Sequence, residues 1–202
     1  MIKNLIFDVG NVLLEYRWID ALMDTGLSRE EAVATGEIIF GDKLWVMFDA
    51  GNIEVSELIE EYGKKYPDVK DNIAQFVLHP ERMPLPRQEV WDKIRLLKKD
   101  GYKVYLLSNY SEFLFTAHTT GRQFMEDVDG RVVSYEVHQV KPEADIYMSL
   151  MDKYALKPEE CLFFDDRPEN TETAQKLGIK SYTIESREHL NGVLENIIDK
   201  KV

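Results

Sequence analysis

At 202 residues, 44% hydrophobic and 31% charged, the chain has the size and composition of one globular domain with a substantial core, or of a core domain carrying a modest insertion. Its net charge of −12 speaks against a nucleic-acid partner, because backbone phosphates are held by basic surfaces. No apolar run approaches the roughly 20 residues that a bilayer span requires, and the single cysteine, Cys161, excludes an internal disulfide framework and a thiolate metal cluster.

The chain opens on a short apolar run, Leu5-Ile6-Phe7, that reads as a buried strand and ends at Asp8-Val9-Gly10-Asn11. Asp-x-Gly-Asn is good turn chemistry, so Asp8 alone could simply start a turn. Only seven residues precede Asp8 and they already read as strand, so no signal peptide is expected and a cytoplasmic protein is. From Tyr16 to Pro86 only helical periods are evident. Ser28 and Glu31 have capping-box spacing ahead of a helix through Ile39; Val55, Leu58, Ile59 and Tyr62 share a helical face; Asn72 to Leu78 reads as a further short helix. Trp18 and Trp45 in this stretch could be core or the walls of a pocket.

After Pro86 helices and strands alternate. A helical stripe through Val90, Trp91, Ile94 and Leu97 ends at Gly101, and a strand over Tyr102–Leu107 runs into Ser108-Asn109. A helix follows from about Ser111, then a strand predicted over Val132–Val137 before Lys141-Pro142. Ile146, Tyr147, Leu150 and Met151 line another helix. A strand over Leu162–Phe164 ends at Asp165-Asp166, a helix covers Asn170–Leu177, Lys180–Ile184 is the last strand, and Arg187–Lys200 reads as a closing helix. This alternation predicts an α/β fold with a doubly wound parallel sheet. The organisation expected is a core over 1–15 and 87–202 with a small α-helical cap over 16–86.

Polar residues close four of these apolar runs: Asp8, Ser108 with Asn109, Lys141, and the pair Asp165 and Asp166. Each has a bland explanation as a turn, a solvated lysine or a helix cap. Together they fall where open α/β sheets build ligand sites, beyond the carboxyl ends of the strands. Carboxylates gathered there would repel unless a cation sat among them, and a set of oxygen donors without histidine or thiolate suits magnesium. Asp8 could then touch the metal and attack phosphorus, Ser108 could hold phosphate oxygens, and Lys141 could offset charge, which is most of what phosphoryl transfer needs.

The segments FDVGNVLL, LLSN, VKPE and FFDDRPEN resemble the four motifs of the haloacid dehalogenase-like hydrolases, in the FDxGNV subgroup that contains glucose-1-phosphatases and is similar to the phosphatase domain of soluble epoxide hydrolases. The resemblance implies a Rossmann-like core with an inserted helical cap, and a magnesium-dependent phosphatase of a small phosphorylated metabolite, with sugar phosphates such as glucose 1-phosphate as candidates. By position it makes Asp8 the nucleophile that becomes an aspartyl phosphate, Ser108 the phosphate-binding hydroxyl and Lys141 the charge-balancing cation. Asn11 and Asn109 join Ser108 and Lys141 as substrate-binding candidates. Magnesium falls to Asp8, the Gly10 carbonyl and the acidic pair, with Asp166 preferred over Asp165 as the direct ligand.

Two departures stand out. Most phosphatases of the superfamily place an aspartate acid–base two residues after the nucleophile, where this chain has Gly10; Glu15, Asp20 and the histidines are available substitutes that the sequence does not choose among. A glycine often found before the motif lysine is also missing from Glu136–Lys141, so a locally different loop is expected. His79, His118, His138 and His189 show no metal-ligand spacing and read as structural or surface residues. The competing functions are a metal-independent 2-haloacid dehalogenase and a catalytically weakened binding protein. A monomer is the default oligomeric expectation.

Overall fold

The computed structural model describes residues 1–200. Strand β1 (Asn4–Phe7) leads into β2 (Leu14–Tyr16), followed by five helices: α1 (Trp18–Met23), α2 (Arg29–Gly41), α3 (Lys43–Asp49), α4 (Val55–Lys65) and α5 (Lys70–Leu78). Then come β3 (Pro84–Pro86), α6 (Gln88–Lys99), β4 (Lys103–Ser108), α7 (Glu112–Thr119), β5 (Gly130–Val133) and the single turn α8 (Ser134–Val137). Helix α9 (Ala144–Tyr154), β6 (Cys161–Asp165), α10 (Pro168–Lys176), β7 (Lys180–Thr183) and α11 (Arg187–Ile198) complete the described chain. No described helix is long and apolar enough to cross a membrane.

Five strands form one parallel sheet in the order β5-β4-β1-β6-β7. Strand β1 is central and buried along its whole length, as an apolar strand covered on both faces should be. Alternate residues feed different layers. Leu5 and Phe7 join the stripes of α6 and α11, whereas Ile6 packs with Ile146, Tyr147 and Leu150 of α9. The Phe7 and Phe164 rings stack across the β1–β6 pair at 4.7 Å. The doubly wound α/β architecture expected from the alternation is thus present.

Local signals explain the element ends. Ser28 and Glu31 form a reciprocal capping box at the start of α2, and Ser111 and Ser186 cap α7 and α11. Two expectations need correction. The stretch from Tyr16 to Pro86 is not strand-free at its edges, because β2 and β3 pair antiparallel there. Three-residue strands, one of them Pro-Leu-Pro, carry no periodicity to read. The strand predicted over Val132–Val137 stops at Val133. Ser134 is drawn into bonds with Tyr110 N–H and the Asp49 carbonyl, and Glu136 folds back to Arg131, so the chain coils into α8.

Candidate active site

The strand order places β4 and β6 on either side of β1, so Asp8, Ser108 and Asp165 leave three adjacent strands at the same edge. Ser108 Oγ donates to Asp8 Oδ1 at 2.6 Å. Lys141 enters from the loop after α8, and its buried ammonium meets three acceptors: Asp165 Oδ2 at 2.6 Å, the Leu107 carbonyl at 2.9 Å and Asp8 Oδ1 at 3.0 Å. An ammonium has three protons to give, so this geometry satisfies it completely. Burial alone would lower the Lys141 pKa, but Asp165 and Asp8 outweigh it and hold the amine charged.

The carboxyls respond in the opposite sense. Burial pushes Asp8, Asp165 and Asp166 above the usual carboxylate range; Lys141 opposes this, and the carboxylates reinforce it in one another. Oxygens of all three lie within 4.8 Å of one another, close enough to share one ion. An oxygen-only donor set that is short of positive charge fits a hard dication. Within the set, Asp165 is fully engaged: Oδ2 accepts from Lys141, and Oδ1 accepts from the Arg167 amide and the Asn170 side chain, both at 2.9 Å. Asp166 is less committed, accepting from the Asn11 amide at 2.9 Å.

The two asparagines named from the sequence line the cavity while their amides work inside the protein. Asn11, at φ 54°, donates to Asp166 and accepts from the Tyr16 amide. Asn109 exchanges two bonds with the Lys141 backbone, at 2.8 and 2.9 Å. The loop ahead of Lys141 turns at His138, whose φ of 56° is the left-handed geometry a glycine adopts without strain. The His138 ring bonds the Ala50 carbonyl through Nδ1, which compensates for that choice. His118 is buried between the Pro80 carbonyl and the Tyr110 hydroxyl, and burial lowers its pKa to about 4, so it is neutral and structural.

Above this floor lies a cavity of about 500 Å³. Its far wall comes from the helical insertion: Trp18, Phe40 and Trp45 stack edge to face in series, and Val46 and Asp49 extend the wall along α3. Trp45 is both core and wall, being 8% exposed and packed on Phe48 and Phe76.

Two residues escaped the sequence reading. Arg87 is buried and donates to the carbonyls of Asn11 and Val12, clamping the turn that follows β1. Asp49 ends α3, facing the floor. Burial pushes its carboxyl up to about 7; the Asp8 charge adds to this, while the Ser111 amide, Lys141 and Arg167 act against it. A usable signal existed, since an acid in the last turn of a helix opposes the helix dipole and needs a reason to be there.

The profile of the haloacid dehalogenase-like hydrolases matches residues 2–178. The chain is 26% identical over 177 residues to the sesquiterpene phosphatase astK of Aspergillus oryzae, covering 88% of this chain and 87% of that protein. It is 25% identical over 201 residues to the drimenol cyclase drtB of Aspergillus calidoustus, spanning 98% of this chain but only 37% of that longer protein. Among solved structures, a HAD-family enzyme from Bacteroides thetaiotaomicron in complex with magnesium and inorganic phosphate superposes with a TM-score of 0.70 at 25% identity, covering 91% of this chain and 94% of that one. With the parallel sheet and its acidic strand ends, these matches show that the chain belongs to the haloacid dehalogenase-like hydrolases.

Proposed function

We propose that this chain is a magnesium-dependent phosphatase that hydrolyses a small phosphate monoester through an aspartyl phosphate on Asp8, with residues 16–86 acting as a cap over the reaction. The observation that carries the reading is the contact set around Asp8: Ser108 at 2.6 Å and Lys141 at 3.0 Å on one carboxyl oxygen, beside Asp166. A carboxylate that only ended a turn would not recruit a buried ammonium that a second buried carboxylate also holds. Magnesium bound by Asp8, Asp166 and the Gly10 carbonyl would neutralise the carboxylates and polarise a phosphate oxygen. The relatives support the reading, one being named as a phosphatase and another solved with magnesium and phosphate.

Each residue then has a task that follows from its surroundings. Asp8 attacks phosphorus from the end of the buried central strand. Ser108 and Lys141 hold the transferring oxygens, and Asn109 fixes the Lys141 backbone. Asp165 keeps Lys141 in place from behind, and Asn11 aims Asp166. The helical cap, docked over the floor, excludes bulk water from the phosphorylated aspartate. The aromatic wall of Trp18, Phe40 and Trp45 suits an alcohol with apolar surface better than a sugar such as glucose 1-phosphate, because its large apolar faces offer few hydrogen bonds to ring hydroxyls.

Phosphate release from a panel of alkyl, terpenyl, sugar and nucleoside monophosphates tests the reading. Turnover is expected that depends on magnesium, stops on chelation and disappears in Asp8→Asn. No turnover on the panel together with chloride release from a 2-haloacid would replace it with dehalogenase chemistry, and silence in both assays would point to a binding protein.

A further inference from the structure

We propose that Asp49, carried by the helical insertion, is the acid–base that the first motif lacks: it protonates the departing alcohol and then deprotonates the hydrolytic water. The inference rests on the aspartyl-phosphate reading above and supplies the proton transfers that the floor of the site cannot make by itself.

The argument begins with elimination. Four carboxylates line the cavity: Asp8, Asp49, Glu143 and Asp166. Asp8 is the nucleophile, Asp166 is assigned to the metal, and Glu143 is exposed at the start of α9. No described lining residue is a histidine. Glu15 and Asp20, available from the sequence, lie outside the lining and face Arg187 and Arg17. Gly10 has no side chain, although a Cβ there would meet no atom within 4 Å and its φ needs no glycine.

Position supplies the second argument. The end of α3 is fastened to the core rather than free to swing. The Asp49 carbonyl accepts from the buried Ser134 hydroxyl, and the Ala50 carbonyl bonds the His138 ring at 2.8 Å. Gly51, at φ +68°, passes so close to Tyr135 that a Cβ would stand 3.1 Å from its Cα. Three successive residues of the insertion therefore dock on α8, which leads directly into the Lys141 loop. The docking delivers the Asp49 carboxyl to the wall facing Asp8 without a hinge between them. The elevated pKa of about 7 supplies both protonation states near neutrality, as one group serving as acid and then base requires.

The steps balance. As an Asp8 oxygen bonds to phosphorus, the bond from phosphorus to the ester oxygen breaks, and the Asp49 proton passes to that oxygen, releasing a neutral alcohol. Asp49, now a carboxylate, takes a proton from water as the water oxygen bonds to phosphorus. The Asp8–phosphorus bond breaks, orthophosphate leaves, and both aspartates return to their starting states.

The test varies the leaving group. kcat/KM reports aspartyl-phosphate formation, in which an alkoxide needs a proton and a nitrophenolate does not. Asp49→Asn is expected to lower kcat/KM for n-hexyl phosphate by about 10²–10³-fold, and for 4-nitrophenyl phosphate by less than about 10-fold. Adding Gly10→Asp to Asp49→Asn is expected to recover at least about 10-fold on the alkyl ester alone. Equal losses on both esters with an unchanged melting curve, or no loss on either, would overturn the role of Asp49 and leave the phosphatase standing. A wild-type protein silent on both esters and on the wider monophosphate panel would instead remove the phosphatase reading, and this inference with it.

Discussion

The floor and the roof of the cavity are built by opposite rules. The floor is charged and buried, carried on the ends of neighbouring parallel strands and the loop that brings in Lys141, and Lys141, Asp8, Ser108 and Asp165 are each 8% exposed or less. The roof is aromatic, partly exposed and carried on α1, α2 and α3 of the insertion, with Asp49 as its carboxyl. The difference teaches where each part of the reaction can be encoded. Charge stabilisation needs rigid placement and tolerates little variation, so it sits on the sheet. On the proposed phosphatase reading, choice of alcohol needs shape and apolar area, which helices on an insertion can change without disturbing the sheet.

The sharpest break between the two regions comes from the floor. Asp8→Asn is expected to reduce phosphate release by at least about 10⁴-fold, since no other group can form the intermediate. The same change removes one of three crowded carboxylates, so the melting temperature is expected to hold or rise. A fall of several degrees would show that Asp8 is mainly a structural anchor. Lys141→Met should act on both properties. It leaves Asp8 and Asp165 buried without their cation, at a cost of about 3–5 kcal/mol in urea unfolding, and slows turnover as well. Stability unchanged in that variant would mean that the acidic cluster is already neutral without the lysine.

The seam between the regions titrates. His118 bonds Pro80, at the end of the insertion, and Tyr110, in the cavity wall, and its pKa falls from 6.5 to about 4 because it is buried and near Arg122. The unfolded chain therefore binds the proton more readily than the folded one. Stability contributed by neutral His118 is full above pH 6.5 and is lost as the pH falls towards 4, amounting to roughly 3 kcal/mol. Chemical denaturation at pH 7 and at pH 4.5 should show a decline that His118→Gln makes shallower. An identical pH slope in that variant would assign the acid sensitivity to other groups.

The same contrast explains what could be read in advance. Asp8, Ser108 and Asp166 close short apolar runs and were visible as strand followed by polar residue, whereas Lys141 follows a loop and only the family motifs gather it with them. The roof gives no such signal. Helices α1 and α3 have six and seven residues, too few for a helical period to rise above chance. Asp49 is placed by contacts to residues 85 and more positions away, with Ser134 and His138, and no local pattern reports a partner at that separation. The strand predicted through Val137 failed for the same reason, because Ser134 answers to Tyr110 and Asp49 rather than to its neighbours.

The smallest expected effect refines the comparison most directly. Val46 lies on α3 one helical turn before Asp49, lines the cavity and is 48% exposed. A side chain already half in water contributes little to folding, so Val46→Ser should change stability by no more than about 0.5 kcal/mol. On the proposed reading, its remaining apolar surface is buried when the organic part of a substrate lies against it. Removing that surface is worth about one methylene, roughly 0.8 kcal/mol, or a few-fold in kcat/KM for an apolar ester. The loss should appear in KM and be absent for a sugar phosphate that leaves the wall wet. An equal loss on both esters would mean that α3 serves the site only through Asp49, and that the aromatic wall is core exposed by chance rather than a surface shaped for the alcohol.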